Sequence, residues 1–268
     1  SGLKVEKQGR ADSEAPVLEL RRVSTRAEGA ETALHELDLE VFPGEIVGVA
    51  GVSGNGQKEL VDLILGIKPC DVGSKHLFGE DVTGESVPAM RGRGVSFIPE
   101  NPLAMASVPF MSLLENMALT RTRRYALWGG LKIDWEAVRE DFDQSSADLG
   151  FSLPMYAPAR SLSGGNLQRM VIVRETAQNP RLILASYLTR GLDVRSTLAA
   201  RKALLQARAS GAGVLLISED LEELFSLANR LIVLRDGKIV AVFKPEQTSL
   251  YEVGLLMTGS EVRYAESN

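Results

Sequence analysis

The run Gly51-Val52-Ser53-Gly54-Asn55-Gly56-Gln57-Lys58 constrains this chain more than any other stretch. Its glycines lie between an apolar segment, Ile46-Val47-Gly48-Val49-Ala50, and a segment with Leu60, Leu63, Ile64 and Ile67 at helical spacing. A buried strand, a tight glycine turn and a helix, in that order, make a loop whose backbone N–H groups can cradle an anion. The pattern for phosphate loops is G-x-x-x-x-G-K-[ST]. The glycines fit it, but the two chemical positions do not. Gln57 stands where the phosphate-binding lysine belongs, and Lys58 where the Mg2+-binding hydroxyl belongs.

Around this loop the chain alternates between strand and helix patterns. Val17-Leu18-Glu19-Leu20 reads as a strand, and Leu37-Asp38-Leu39-Glu40-Val41 as a half-exposed one. Pro43-Gly44 marks the turn before the buried strand at 45–50, and residues 93–98 form another strand stopped by Pro99. From about 101 to 160 the character becomes helical, with Asp134 as an N-cap, Val138, Phe142 and Leu149 near one face, and Gly150 as a stop. A helix near 164–177, a strand at 182–186, a helix near 195–209 and a strand at 213–218 follow. Between Arg230 and Phe243, two apolar runs split by Asp236-Gly237 signal a hairpin. The alternation predicts an α/β fold with a mainly parallel sheet and helices on both faces; the strand order does not follow from it.

The bulk numbers narrow the class. A chain of 268 residues accommodates one large domain or a core with an inserted subdomain. No apolar run reaches the roughly 18 residues that span a bilayer. The first fifteen residues are polar and charged, which is unlike a signal peptide, and the start at Ser1-Gly2 in place of Met reads as a fragment. The single cysteine, Cys70, excludes an internal disulfide and fits a reducing compartment. A net charge of −5 argues against a general nucleic-acid binder. His35 and His76 are isolated and lack metal-ligand spacing.

A second motif lies about 110 residues downstream of the first. In Leu162-Ser163-Gly164-Gly165-Asn166-Leu167-Gln168-Arg169 a serine and two glycines precede a helix, where exposed N–H groups and the helix dipole favour an anion. With the glycine loop, this run strongly resembles the LSGGQ signature of ATP-binding cassette (ABC) transporters. The other landmarks fall in family order. Phe97-Ile98-Pro99-Glu100 matches the Q-loop position, Leu182 to Tyr187 Walker B, Thr189-Arg190-Gly191-Leu192-Asp193 the D-loop, and Ile217-Ser218-Glu219-Asp220 the H-loop. The resemblance covers roughly 16–260. It looks most like the second, degenerate cassette of bacterial sugar and nucleoside importers.

The resemblance implies an ABC ATPase cassette: a RecA-like, mostly parallel sheet core, an antiparallel β part and an inserted helical subdomain at about 101–160. Residues 1–15 would be a linker or the tail of a preceding domain, and 261–268 a C-terminal tail. The nucleotide-binding positions would be Gly51, Ser53, Gly54, Asn55, Gly56, Gln57 and Lys58, and the signature acting in trans Ser163, Gly164, Gly165 and Asn166, with Asp193 in the D-loop. The implied cofactor is ATP, with Mg2+ at the partner cassette's site and no secure place for it here. The implied partners are a second cassette on the same full-length chain, transmembrane permease subunits and, indirectly, a solute-binding protein, at the cytoplasmic face of a bacterial membrane.

The departures fall on the catalytic positions. Ser186 replaces the Walker B aspartate, Tyr187 the catalytic glutamate, Glu219 the histidine and Glu100 the Q-loop glutamine. Loss of one general base or water-orienting group typically costs about 10²–10⁴ in rate, so several losses together predict almost no turnover. Glu219 and Glu100 bring negative charge toward the γ-phosphate position unless they turn to solvent or to arginines. Lys58 could put its ammonium where Mg2+ would lie. The adenine-stacking aromatic of the family would fall near Ala27. Phe110, Met111 and Leu114 are candidate contacts for a permease coupling helix, and Tyr125 to Trp128 reads as an aromatic surface loop. The competing readings are a soluble cassette acting on ribosomes or nucleic acid, and a stand-alone, competent ATPase.

Overall fold

The computed structural model describes residues 15–177 and 179–259; the linker expected over 1–15 falls almost wholly outside them, as does the tail at 261–268. In chain order the elements are β1 (Leu18–Ser24), β2 (Leu37–Val41), β3 (Ile46–Ala50), α1 (Gln57–Leu65), β4 (Val72–Leu77), β5 (Glu80–Asp81), α2 (Val87–Gly92), β6 (Val95–Ile98), α3 (Pro102–Met105) and α4 (Leu113–Leu119). They continue with β7 (Ala126–Leu127), β8 (Lys132–Ile133), α5 (Trp135–Asp148), α6 (Gly164–Thr176), β9 (Leu182–Ser186), α7 (Val194–Ala209), β10 (Gly213–Ser218), α8 (Leu221–Leu227), β11 (Arg230–Arg235), β12 (Lys238–Phe243) and α9 (Leu250–Thr258).

Two larger sheets organise the chain. The main sheet has the order β12-β11-β3-β10-β9-β6 and is parallel except where β12 returns antiparallel to β11. The second is antiparallel, in the order β2-β1-β4-β5. Strand β3 is buried along its whole length, as a central parallel strand must be. Its side chains divide by the period of two. Ile46 and Ala50 join the core shared with the helical layer, while Val47 and Val49 join the core shared with α1 and the antiparallel sheet. Helix α1 is apolar on most sides because Leu60, Val61, Leu63, Ile64 and Leu65 are all buried. It stops at Gly66, which caps it with φ 82°, so Ile67 lies outside the helix and is exposed.

Lys75 of β4 is buried, and its ammonium donates to Leu63 O (2.8 Å) and Ile64 O (3.2 Å), two carbonyls in the last turn of α1. Burial pulls its pKa down from 10.5 to about 8. The folded chain therefore holds this proton less firmly than the unfolded chain. The cost of the buried charge is complete below about pH 8 and is relieved as pH rises toward 10.5. Unfolding free energy is expected to gain about 2–3 kcal/mol across that window from this group. Urea denaturation of Lys75→Met at both ends of the window should lack the gain.

The helical layer is fastened to the sheet by a buried charge network. Glu175 of α6 is fully buried and accepts from Arg91 Nη2 (2.8 Å), Arg174 Nε (2.8 Å) and Phe97 N (3.2 Å). Burial alone would raise its pKa, but the Arg174 and Arg91 guanidiniums and the Phe97 N–H outweigh it, and the net shift is downward. Arg174 Nη1 in turn donates to Ala106 O (2.7 Å) and Asn116 O (3.3 Å). Buried Asn116 pins the segment before α4, accepting from Val108 N and donating to Val108 O, Met111 O and Ser112 O.

Several expectations need correction here. The stretch 101–160, read as helical, contains the β7–β8 hairpin, whose two-residue strands are too short to leave a period in the sequence. Tyr125 is buried with its hydroxyl donating to Asp141 Oδ2 (2.7 Å), so the expected aromatic surface loop keeps only Trp128 fully outside. Leu114 is buried in the core and cannot meet a partner, whereas Phe110 is 75% exposed with the Arg160 guanidinium 4.5 Å over its ring. The strand expected at 93–98 begins at Val95, because Arg93 caps α2 and Gly94 turns with φ 93°.

Candidate functional site

Topology gathers the unusual residues. Gly51 follows β3, Glu219 follows β10, Ser186 ends β9 with Tyr187 just after it, and Glu100 follows β6 by two residues. Those strands are neighbours in the parallel sheet, so all of these positions sit at its carboxyl edge, where open α/β sheets bind ligands.

The glycine loop satisfies itself from within. Gln57 is buried, its Oε1 accepting from Asn55 N (3.1 Å) and its Nε2 donating to Val52 O (2.9 Å). The amide thus closes the loop interior, and a Cβ on Gly51 would meet Gln57 Nε2 at 2.6 Å. Asn55 faces the other way: its Oδ1 accepts from Asp236 N (3.1 Å) and its carbonyl from Gly237 N (3.0 Å). The Asp236-Gly237 turn of the β11–β12 hairpin therefore braces the loop from behind. Gly237 has φ 68°, and a Cβ there would meet Ala33 O at 1.8 Å. Thr32 adds a third tie, its Oγ1 donating to Gly54 O (2.6 Å). Gly56, with φ 104°, makes the turn into α1.

The charged replacements find partners of their own. Lys58 Nζ donates to Asp62 Oδ2 (2.6 Å), one turn along α1, and its side chain is 63% exposed. The ammonium therefore runs along the helix and does not stand in for a metal ion. Glu219 Oε1 accepts from Ser53 N (2.8 Å), so the H-loop position reaches onto the glycine loop. Glu100 forms an ion pair with Arg190. Tyr187 lies beside both carboxylates, with the Arg190 guanidinium 5.6 Å from its ring centre. Burial, then the charges of Glu219 and Glu100, push the phenol pKa up to about 12 against the opposing Arg190. The donor set does not fit Mg2+. Lys58, an ammonium, and Ser186, a neutral hydroxyl, stand where the family resemblance puts the two protein ligands, and no metal-binding cluster of His, Cys, Asp or Glu exists among the described residues.

The signature segment is built in the opposite way. Ser163 caps α6, its Oγ accepting from Asn166 N (3.3 Å). Ser163 and Gly164 are exposed, and a Cβ added to Gly164 would meet nothing within 4 Å. Behind them Arg169 locks the segment to the D-loop: it donates to Asn166 Oδ1 (3.0 Å) and Ser196 Oγ (2.7 Å) and pairs with Asp193. Asp193 is the N-cap of α7. The Ser196 backbone N–H above all, with the Ser196 hydroxyl and Arg169, holds its carboxyl below the usual range against burial. Ser163, Gly164, Gly165, Arg190, Glu100 and Asp193 line a cleft of about 440 Å³ open to solvent. The acidic run after Glu219 is a helix cap: Asp220 accepts from Glu223 N (3.1 Å) at the start of α8.

A second cleft, of about 570 Å³, lies between α2 and the segment after α4. Arg91, Arg121, Arg123 and Arg124 line it, and Nη2 of buried Arg121 has no hydrogen-bond partner. Nothing in the spacing of these arginines marks the cleft, because α2 and the 119–124 segment meet only in the fold.

Comparison with known proteins agrees with this layout. The family described as ABC transporter matches residues 34–185. The chain is 38% identical over 251 residues to the glucose import ATP-binding protein TsgD13 of Haloferax volcanii, covering 91% of this chain and 45% of that protein. It is 37% identical over 253 residues to the nucleoside import ATP-binding protein NupA of Lactococcus lactis (92% and 49%). It is 35% identical over 270 residues to the guanosine import ATP-binding protein NupO of Bacillus subtilis (98% and 51%). The chain thus spans about half the length of these relatives. Among solved structures, an ATP-binding subunit of an ABC transporter superposes with a TM-score of 0.73 at 21% identity, covering 90% of this chain and 99% of that one. The dimeric bacterial cassette MJ0796 gives 0.73 at 22%, covering 85% and 98%. From the parallel sheet with its antiparallel companion and helical layer to the family match over its central half, this chain belongs to the ABC transporter family and has the fold of its ATPase cassettes.

Proposed function

We propose that this chain is the second cassette of an ABC importer for sugars or nucleosides, lending its signature to ATP held by a partner cassette while its own loop does not turn over ATP. One contrast carries the reading. The signature helix presents a capped, exposed N-terminus to an open cleft, whereas the glycine loop spends its hydrogen-bonding groups on Gln57, Glu219 and the β11–β12 turn. The names of the relatives, importers of glucose, nucleosides and guanosine, support the solute class. Their length, about twice that of this chain, supports a partner cassette on the same polypeptide.

In this reading ATP and Mg2+ belong to the partner's loop. Ser163, Gly164 and Gly165 orient an anionic phosphoryl group through N–H and hydroxyl donors, and Arg169 and Asp193 keep that segment in place. Transmembrane permease subunits dock on the helical side, where Phe110 and Met111 are exposed and the arginine-lined cleft offers positive charge. A solute-binding protein delivers cargo to the permease, and the cassette works at the cytoplasmic face of the membrane. No helix among the described residues is long and apolar enough to cross a membrane.

The purified 268-residue chain is expected to release phosphate from ATP at the assay background. Gln57→Lys alone should leave that unchanged, because the water-orienting and metal-binding positions are still missing. A malachite-green assay with and without Mg2+ measures both. Magnesium-dependent turnover by the unaltered chain would overturn the reading in favour of a stand-alone ATPase.

A further inference from the structure

The glycine loop already holds an anion, and the chain itself supplies it. The Ser53 N–H donates to Glu219 Oε1 at 2.8 Å. Glu219 has no cationic partner within salt-bridge distance among the described residues, unlike Glu100, which Arg190 neutralises. Its side chain is exposed, so it can leave the loop by a change of rotamer without unfolding anything. Ser53 lies four residues before α1, on the outer part of the loop beside the end of β10. The first N–H groups of α1 lie at its inner end and have no intrahelical acceptor. A polyphosphate anchored at that helix start and running outward would bring its last phosphoryl group toward the Ser53 N–H.

We propose that Glu219 sets which nucleotide this loop accepts: its carboxylate takes the place of a terminal phosphoryl group on the Ser53 N–H, so the loop takes a nucleoside diphosphate in preference to a triphosphate. A triphosphate must expel the carboxylate, losing a charge-assisted hydrogen bond and meeting a like charge that no cation offsets. A diphosphate ends short of it and leaves the bond intact. The inference rests on the loop being a nucleotide site and is independent of the signature acting in trans.

The test is equilibrium binding of fluorescent (mant) ADP and ATP to the purified 268-residue chain, in EDTA so that metal plays no part. The unaltered chain is expected to bind the diphosphate about tenfold more tightly. Glu219→Ala should raise triphosphate affinity about tenfold and move diphosphate affinity less than about threefold, which removes the preference. Glu219→Gln, which keeps an acceptor but no charge, should fall between and serves if the alanine variant melts early. Equal affinities in the unaltered chain, or a parallel change for both nucleotides, would overturn the assignment. Absence of binding by either nucleotide to all three proteins would also overturn it, and with it the loop as a nucleotide site, while leaving the trans-acting signature to be judged by its own variant.

Discussion

Ser163→Arg in the proposed two-cassette importer, assembled with a permease in proteoliposomes, is expected to lower ATP-driven uptake by about 10²–10³, the usual cost of removing a donor aimed at developing charge. The serine hydroxyl caps α6 and the neighbouring glycine leaves an open surface, so a long cationic side chain both removes the cap and fills the approach to the helix start. The helix itself should lose only about 1 kcal/mol, so the assembled protein remains folded and the loss is functional. The companion variant, Gln57→Lys, should change uptake less than twofold. The opposite ranking, with uptake tolerant of Ser163→Arg and sensitive to Gln57→Lys, would reverse the proposed division of labour between the two sites.

The largest loss of stability is expected at Glu175. Its carboxylate is fully buried between Arg91, Arg174 and the Phe97 N–H. Glu175→Leu would leave Arg174 buried beside an apolar chain, and breaking a buried pair from one side typically costs about 3–5 kcal/mol. Urea denaturation at neutral pH measures this directly. Arg91→Ala should cost less, because Arg91 is partly exposed and Arg174 still faces the carboxylate. The same group adds an acid limit. Its folded pKa lies below the ordinary value of 4.5, so its contribution is complete above that value and is lost as pH falls through the lowered one. The unaltered protein should therefore lose stability steeply on the acid side, and Glu175→Leu should flatten that part of the curve.

The elements that depend on local chemistry were legible in the sequence. The glycines of the loop, the Asp236-Gly237 turn, Asp134 as a cap and Gly150 as a stop act within a few residues, and each appears in the fold where its spacing put it. The helix start at Ser163-Gly164-Gly165 was legible for the same reason, while the capping bond from Asn166 N to Ser163 Oγ came only with the structure. What the sequence could not disclose are contacts between distant segments. Glu219 reaches Ser53 across 166 positions, and Arg190 reaches Glu100 across 90. Negative charge at Glu219 and Glu100 was readable, but its destination was not: one carboxylate turned to an arginine, the other to the loop itself. Leu114 and Tyr125 show a second limit. An apolar side chain carries no mark of whether it faces the core or a partner, and only the packing of α4, α5 and α6 assigns these two to the interior.

The brace behind the glycine loop separates shape from cargo. Asn55, Asp236, Gly237 and Thr32 set the curvature of the loop with bonds that involve no catalytic side chain. Substitutions at the neighbouring positions Lys58, Ser186 and Tyr187 therefore leave the curvature of the loop untouched.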